Sequence, residues 1–379
     1  MQLKTIKQIK NLTNKRVIVR TDFNVPMKGI KIIDDYRIQK ALPTIEYLIK
    51  QKAKIILLSH LGRPNGKVVK ELSLLPIAQK LEKLLKKKVA FIPQISGEEV
   101  EQAIETLNGG EVLVLENVRF HPKEEANDSR WGKELAGLGD IFVNDAFAVS
   151  HRKQSSVVAI AKYLPSYAGL LLEDEITNLN QVLEPKKPAV AIVGGSKIET
   201  KIKVIDKLSK KFDQVLIGGA IANNFILSAG YEVGKSLVDK DFKLNLNKYN
   251  FEKIVLPVDV IVTGGKTREV DLVSKNEAIY DLGAETFKIF KIYLNGAKTI
   301  VWNGPMGWFE KHEFAKFTLK LASEILKNKT AQICIGGGET ASLFMNKKLS
   351  PNIFVSTGGG AMLEFLEGKE LPGIKVLEK

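Results

Sequence analysis

Residues 17 to 26 read VIVRTDFNVP. Val17, Ile18 and Val19 form the continuous apolar run of a strand buried on both faces, the pattern of a parallel sheet. Arg20, Asp22 and Asn24 then fall at alternate positions. An extended chain would put those three on one face, with Thr21, Phe23 and Val25 on the other. Burying a guanidinium, a carboxylate and an amide is costly without polar partners. Two readings are open here: the three satisfy one another at a strand end, or they face a ligand.

Short β-branched runs of the same kind recur at 16–20, 54–58, 112–115, 140–143, 189–193, 214–217, 253–256, 299–302, 332–335 and 353–355, with helical patterns between them. That alternation is the mark of an α/β fold with parallel sheets. Over 379 residues, more than one core usually spans, it predicts two doubly wound sheets of about five strands each. Residues 169–188 read as one helix stopping before Pro185, a connector between two domains. Composition changes across it: seven of eight arginines lie in the first 152 residues, whereas 20 of 30 glycines follow residue 190.

The composition, 44% hydrophobic and 26% charged, is that of an ordinary globular protein. The single cysteine, Cys334, excludes an internal disulfide and fits a reducing compartment. The chain start has no signal-peptide pattern and no apolar run is long enough to span a bilayer, which predicts a cytoplasmic protein without a membrane partner. A net charge of +14 raises nucleic acid as a partner. The excess is nearly all lysine, however, as in the amphipathic KLEKLLKKK at 80–88, and no aromatic-interleaved basic motif accompanies it, so no nucleic acid is expected.

In open α/β sheets ligands bind beyond the carboxyl ends of the strands. After the early strands stand His60 and Arg63, then Asn117 and Arg119, then His151 and Arg152, to which Arg20 and Arg37 add. Arginine binds phosphate and carboxylate through paired N–H groups, so scarce arginines at strand ends suggest an anion pocket. Pairing with surface acids is the plainer alternative. No His, Cys or carboxylate grouping has metal-site spacing.

The later strands end in glycine instead: AIVGGSK, VLIGGA, ICIGGGET and FVSTGGGA, with WNGPMGWFE as a fifth turn-rich end. Glycine there lets a ligand approach backbone N–H groups and helix N-termini. Familiar nucleotide signatures fail: GGKT at 264–267 lacks the leading glycine of a P-loop, and no G-x-G-x-x-G sits in a βαβ unit. Lys197 and Lys201, four apart where a helix would start, are expected on one face as neutralisers of a transferred phosphate.

VRTDFNVP, SHLGRP, LENVRF, VNDAFAVSHR, AIVGGSK, LPVD, VWNGPMGWFE, GGGET and STGGGA, in that order, resemble phosphoglycerate kinases from about residue 16 to the end. The resemblance implies two Rossmann-like domains: 1–170 with about 363–379, where the tail returns to the first domain, and 187–362, joined by a hinge helix at 171–186. It implies a monomeric enzyme that passes a phosphoryl group between 1,3-bisphosphoglycerate and ADP, giving 3-phosphoglycerate and ATP with Mg²⁺. Asp22, Asn24, Arg37, His60, Arg63, Arg119 and Arg152 would hold 3-phosphoglycerate. Gly194, Gly195, Lys197, Lys201, Gly218, Gly219, Asn303, Glu310, Gly337, Gly338, Glu339 and Thr340 would hold the nucleotide. Arg37, Lys197, Gly337 and Gly360 would serve the transferring group, and Glu339 the metal. Departures from the family's pattern are Gln154 for a histidine, Glu339 for an aspartate, Ala284 for a proline, GGAIANNF for a GGGMA-type loop, and Trp308 for a smaller residue.

Overall fold

The computed structural model describes residues 3–378 apart from 240, 243, 345 and 346. The chain divides into two compact units, Met1–Thr177 with Glu370–Lys379, and Asn178–Lys369. Among the described residues no helix is long and apolar enough to cross a membrane.

The first unit is built on six parallel strands: β1 (Arg16–Arg20), β2 (Lys54–Leu58), β3 (Val89–Ile92), β4 (Val112–Leu115), β5 (Ile141–Asn144) and β6 (Ser166–Ala168). Their order is β3-β4-β2-β1-β5-β6. Val17 and Val19 enter the core on one face of the sheet while Ile18 enters the core on the other. The pleat thus explains why the run is apolar without a break. β3 and β6 are two strands beyond the four legible in this part of the sequence, which brings the sheet to six.

The alternation read through Asn24 stops early, because β1 ends at Arg20. Thr21 N–H still reaches Leu58 O at 2.9 Å, but Phe23 N–H turns to Ser59 Oγ at 2.9 Å, and the ladder is broken. Asp22 and Asn24 therefore lie on a loop beyond the strand's carboxyl end and not on a shared strand face.

Helix α1 (Tyr36–Lys50) packs on this sheet, and helix α2 (Leu170–Leu183) follows β6. The boundary between the units, at Thr177, falls inside α2, which ends at Leu183 and not at 186. Buried Asp145, just after β5, accepts the N–H groups of Leu171 and Leu172 at 3.0 and 3.2 Å and so caps α2. Burial pushes its carboxyl up to about 7 despite those bonds. The chain's last segment returns at Glu370, later than the 363 expected, since a helix still runs from Gly359 to Leu366 in the second unit. Asn144 Nδ2 donates to Gly373 O at 2.9 Å, and Lys4 N–H donates to Leu377 O at 3.0 Å.

The second unit has six parallel strands: β7 (Ala189–Val193), β8 (Gln214–Ile217), β9 (Ile254–Val255), β10 (Thr299–Asn303), β11 (Gln332–Gly336) and β12 (Ile353–Val355). Their order, β9-β8-β7-β10-β11-β12, is that of a dinucleotide-type doubly wound sheet, with its switch point between β7 and β10. Helices α3 (Ile202–Lys211), α4 (Gly219–Ser228), α5 (Gly338–Ser342) and α6 (Gly359–Leu366) follow β7, β8, β11 and β12. Between β9 and β10 lies a three-stranded antiparallel sheet of Asp259–Val262, Lys266–Glu269 and Ile279–Leu282. GGKT sits in the first hairpin of that sheet, where Gly264 and Gly265 have φ of +77° and +71°. It is a turn and not a phosphate loop.

Asn144 is fully buried and makes three side-chain bonds, to Gly373 O, Ser150 Oγ and Ala146 N–H. Asn144→Ala leaves those groups unpaired and is expected to destabilise the first unit by about 1–3 kcal/mol in denaturant unfolding. A change within about 0.5 kcal/mol, the range of a neutral surface substitution, would show that the returning segment is held by other contacts.

Candidate active site

In the first unit the carboxyl ends of β1 and β2 carry a buried charge network. Arg20 has no exposed surface, and its Nε donates to Ser156 Oγ at 2.8 Å. Ser156 Oγ in turn donates to Glu124 Oε1 at 2.6 Å, and Ser156 N–H donates to Oε2 at 3.0 Å. Burial lowers Arg20 to about 10, against the pull of Glu124 and Asp22, so the guanidinium stays charged at neutral pH. Burial raises the Glu124 carboxyl, and Arg20 and Ser156 oppose that rise.

On its other side Arg20 Nη2 lies 3.3 Å from His60 Nδ1. Burial and then Arg20, Arg119, Arg37 and Arg152 hold His60 well below its ordinary pKa. A neutral His60 accepts from Arg20 at Nδ1, which leaves its proton on Nε2. Asp22 Oδ2 accepts from Arg37 Nη1 at 2.7 Å, and Asn24 Oδ1 accepts the N–H of Gly62 at 2.9 Å. Arg119 is only 3% exposed. Its Nη1 donates to Gly62 O at 2.7 Å, and its Nε faces Glu125 at 3.4 Å without a hydrogen bond. Its Nη2 is buried with no hydrogen-bond partner. A buried donor left open beside other arginines is costly alone and suited to an anion.

In the second unit three strand-end loops are joined backbone to backbone. Gly194 N–H donates to Asn303 O at 3.0 Å, Gly195 N–H to Pro305 O at 2.7 Å, and Gly219 N–H to Met306 O at 2.9 Å. A Cβ on Gly194 would stand 2.1 Å from Pro305 O, which only glycine avoids. Gly304 N–H donates to Thr340 Oγ1 at 2.9 Å, tying the loop after β10 to α5. Beside these loops opens a cleft of about 370 Å³ whose walls include Ile226, Leu237, Val260, Met306 and Trp308. That size and apolar lining suit a small organic ligand. Lys201 Nζ donates to Gly194 O at 2.5 Å. Burial brings Lys201 down to about 8, and Glu339 opposes that fall.

The phosphoglycerate kinase family model matches residues 6–369. The chain belongs to the phosphoglycerate kinase family. It is 48% identical to the phosphoglycerate kinase of Pseudothermotoga lettingae, over 99% of this chain and 98% of that protein. It is 44% identical to that of Pelotomaculum thermopropionicum, over 100% and 99%. The solved phosphoglycerate kinase of Coxiella burnetii superposes with a TM-score of 0.86 at 42% identity, covering 99% of each chain.

Against the residues expected from the family, the structure gathers Asp22, Asn24, Arg37, His60 and Arg119 through direct bonds or charge, with Arg152 near enough to depress His60. Arg63 is exposed on the loop after β2 and is not one of the four arginines around His60. Gly195, Gly219, Glu310 and Glu339 line the cleft. Gly194, Asn303 and Thr340 instead form the stitched loops, and Gly218 packs against Met306. Gly337, at φ +92°, precedes α5, which begins at Gly338, while Gly360 lies in the first turn of α6.

The two lysines do not share a helix face. Lys197 is exposed on the loop after β7, and α3 begins only after Lys201. The chain bends and turns through residues 195–201 before the helix, with Lys201 N–H donating to Ile198 O at 2.9 Å, so helix spacing does not yet apply to the two lysines. Sequence reasoning also missed Glu124 and Ser156, because KEEAND reads as a solvated acidic run.

Arg20→Met would leave Glu124 buried without its cation. We expect a loss of about 3–5 kcal/mol, the usual cost of breaking a buried pair. Burial raises the carboxyl's folded pKa, so the ionised form is the penalised one: the loss should grow as pH rises from the ordinary carboxylate range upward and Glu124 ionises. Denaturant unfolding across that range checks it, and a pH-independent loss would mean that Arg20 acts by packing alone.

Proposed function

We propose that this chain catalyses reversible phosphoryl transfer between 1,3-bisphosphoglycerate and ADP, giving 3-phosphoglycerate and ATP, as a cytoplasmic monomer. The observation that carries the anion site is Arg119, buried with an open donor among Arg20, Arg37 and Arg152. In this reading those arginines, with exposed Arg63, take the phosphate of 3-phosphoglycerate. Asp22, Asn24 and His60 take its glycerate part.

The attacking group in ATP consumption is a carboxylate, ionised at neutral pH since such a group titrates near about 3.5. No general base is needed, which agrees with a His60 whose Nδ1 is already engaged by Arg20. The remaining task is to align two anions and stabilise spread charge. Arg37 and Lys197 supply positive charge, and the N–H groups at Gly337 and Gly360 supply dipoles. The acceptor and the nucleotide are held by residues of different units, so in-line transfer calls for a hinge closure that also excludes water.

A kinase of this family has a nucleotide substrate, with Mg²⁺ usual for kinases. Among the described residues no three His, Cys, Asp or Glu side chains form a metal cluster. Mg²⁺ commonly takes one or two carboxylates plus substrate phosphates, so one of the acids that line the cleft, Asp281, Glu310 or Glu339, would suffice for it. Glu339, exposed in the first turn of α5 on the cleft wall, is that acid in our reading. Glu339 would hold the ion, which would supply positive charge against the nucleotide phosphates.

The deciding experiment is a coupled assay with MgATP and 3-phosphoglycerate, in which turnover supports the reading and its absence from folded protein overturns it. In the same assay Arg37→Ala should lower kcat about 10²–10³-fold, by analogy with loss of an oxyanion donor, with little change in KM for ATP. Near-normal kcat with weakened nucleotide binding would remove Arg37 from the transferring group.

For Glu339→Gln, titration calorimetry should show weaker binding of MgADP with metal-free ADP nearly unchanged. Equal changes for both would mean that the carboxylate serves the fold and not the ion.

A further inference from the structure

We propose that Trp308 is a specificity-determining residue: its indole is the stacking surface for the nucleobase, and it favours purine over pyrimidine nucleotides. This rests on the second unit's cleft being the nucleotide site.

Of the three tryptophans, Trp131 and Trp302 are buried, whereas Trp308 is 41% exposed. It stands on the wall of the cleft. A ring of that size left open to water forfeits much of its burial energy, unlike the chain's other tryptophans. The ring is nevertheless held. Trp308 N–H donates to Tyr280 O at 2.7 Å, and the Tyr280 ring lies 5.4 Å away. Lys311 Nζ sits 4.0 Å from the indole centroid, and the Phe314 ring lies 6.3 Å away with its plane tilted by only 16°.

Lys311 and Phe314 do not line the cleft, so they support the indole from outside it. Ile226, Leu237 and Val260 form aliphatic wall elsewhere in the same cleft, which makes a slot suited to a flat heterocycle. An aromatic fixed before binding loses little freedom when a base stacks on it.

Stacking on an aromatic residue is worth roughly 5- to 150-fold in affinity per base. Purines present two fused rings and pyrimidines one, so the gain should be unequal. The plainer account is that Trp308 only completes an aromatic cluster with Tyr280 and Phe314.

The test uses the full chain and calorimetric titration with ADP, GDP and UDP. Trp308→Val should weaken ADP and GDP by roughly 5-fold or more while UDP changes less than about 2-fold. Trp308→Phe, which keeps an aromatic ring against Tyr280 and Phe314, should restore most of the purine affinity. In wild-type protein, ADP should also perturb tryptophan emission, since only Trp308 is exposed to a ligand.

Equal losses for ADP and UDP, or unchanged ADP affinity in Trp308→Val, would overturn the proposal while leaving a wild-type enzyme that turns over MgATP and 3-phosphoglycerate. Wild-type protein that neither binds ADP nor turns over would overturn the nucleotide reading as well.

Discussion

The first unit depends on one buried charge. Arg20 closes β1, and its guanidinium reaches three separate pieces of chain: Ser156 on one side, Thr21 O at the strand end, and His60 on the loop after β2. Ser156 carries the contact on to Glu124. A guanidinium without water needs its donors used and a counter-charge near by, and both needs are met only when these loops take their observed places. The fold of the sheet edge and the gathering of these side chains are thus one event. Asp145 N–H donates to Arg20 O at 2.9 Å, so the segment that caps α2 is fixed at the same point.

The second unit reaches the same end by the opposite means. It brings its loops together through close backbone approaches that only glycine permits, at Gly194, Gly219 and Gly304, and keeps Lys201 close against the carbonyl of Gly194. The first unit gathers the side-chain N–H groups of its arginines around His60. Glycines in the other bring main-chain loops together beside a cleft with apolar walls. The skew of seven arginines to one side and 20 glycines to the other is this division of labour written as composition.

Most of the sheet architecture was legible because parallel strands buried on both faces must read as unbroken aliphatic runs, as AVAIV at 189–193 does. Val89–Ile92 escaped notice since it is a half-buried edge strand following a lysine run, and Ser166–Ala168 because it is three residues long. At the site, arginines and glycines after strands could be read because their residue types are unusual there. Glu124 could not, since burial of an acid depends on where Arg20 lies 104 positions earlier in the chain. Lys197 and Lys201 depart from the spacing for a related reason: helix periodicity applies only where the helix has begun, and this one begins at Ile202 after a turn at Ile198.

Asp145 and Thr44 show how the anion site and the connecting helix are mechanically joined within the first unit. Thr44 is buried on α1, the helix that carries Arg37 near its start. Its hydroxyl accepts Leu170 N–H at 2.9 Å and also bonds Asp145, whose carboxylate takes the next two N–H groups of α2. The first turn of α2 is therefore held by side chains from α1 and from the end of β5, and not by solvent. Shifts of Arg37 or of the β1–β5 edge would pass into α2 through hydrogen bonds with little slack, because an unmade bond at a buried helix end is costly. Arg37 and the first turn of α2 thus rest on one shared set of buried side chains within the first unit.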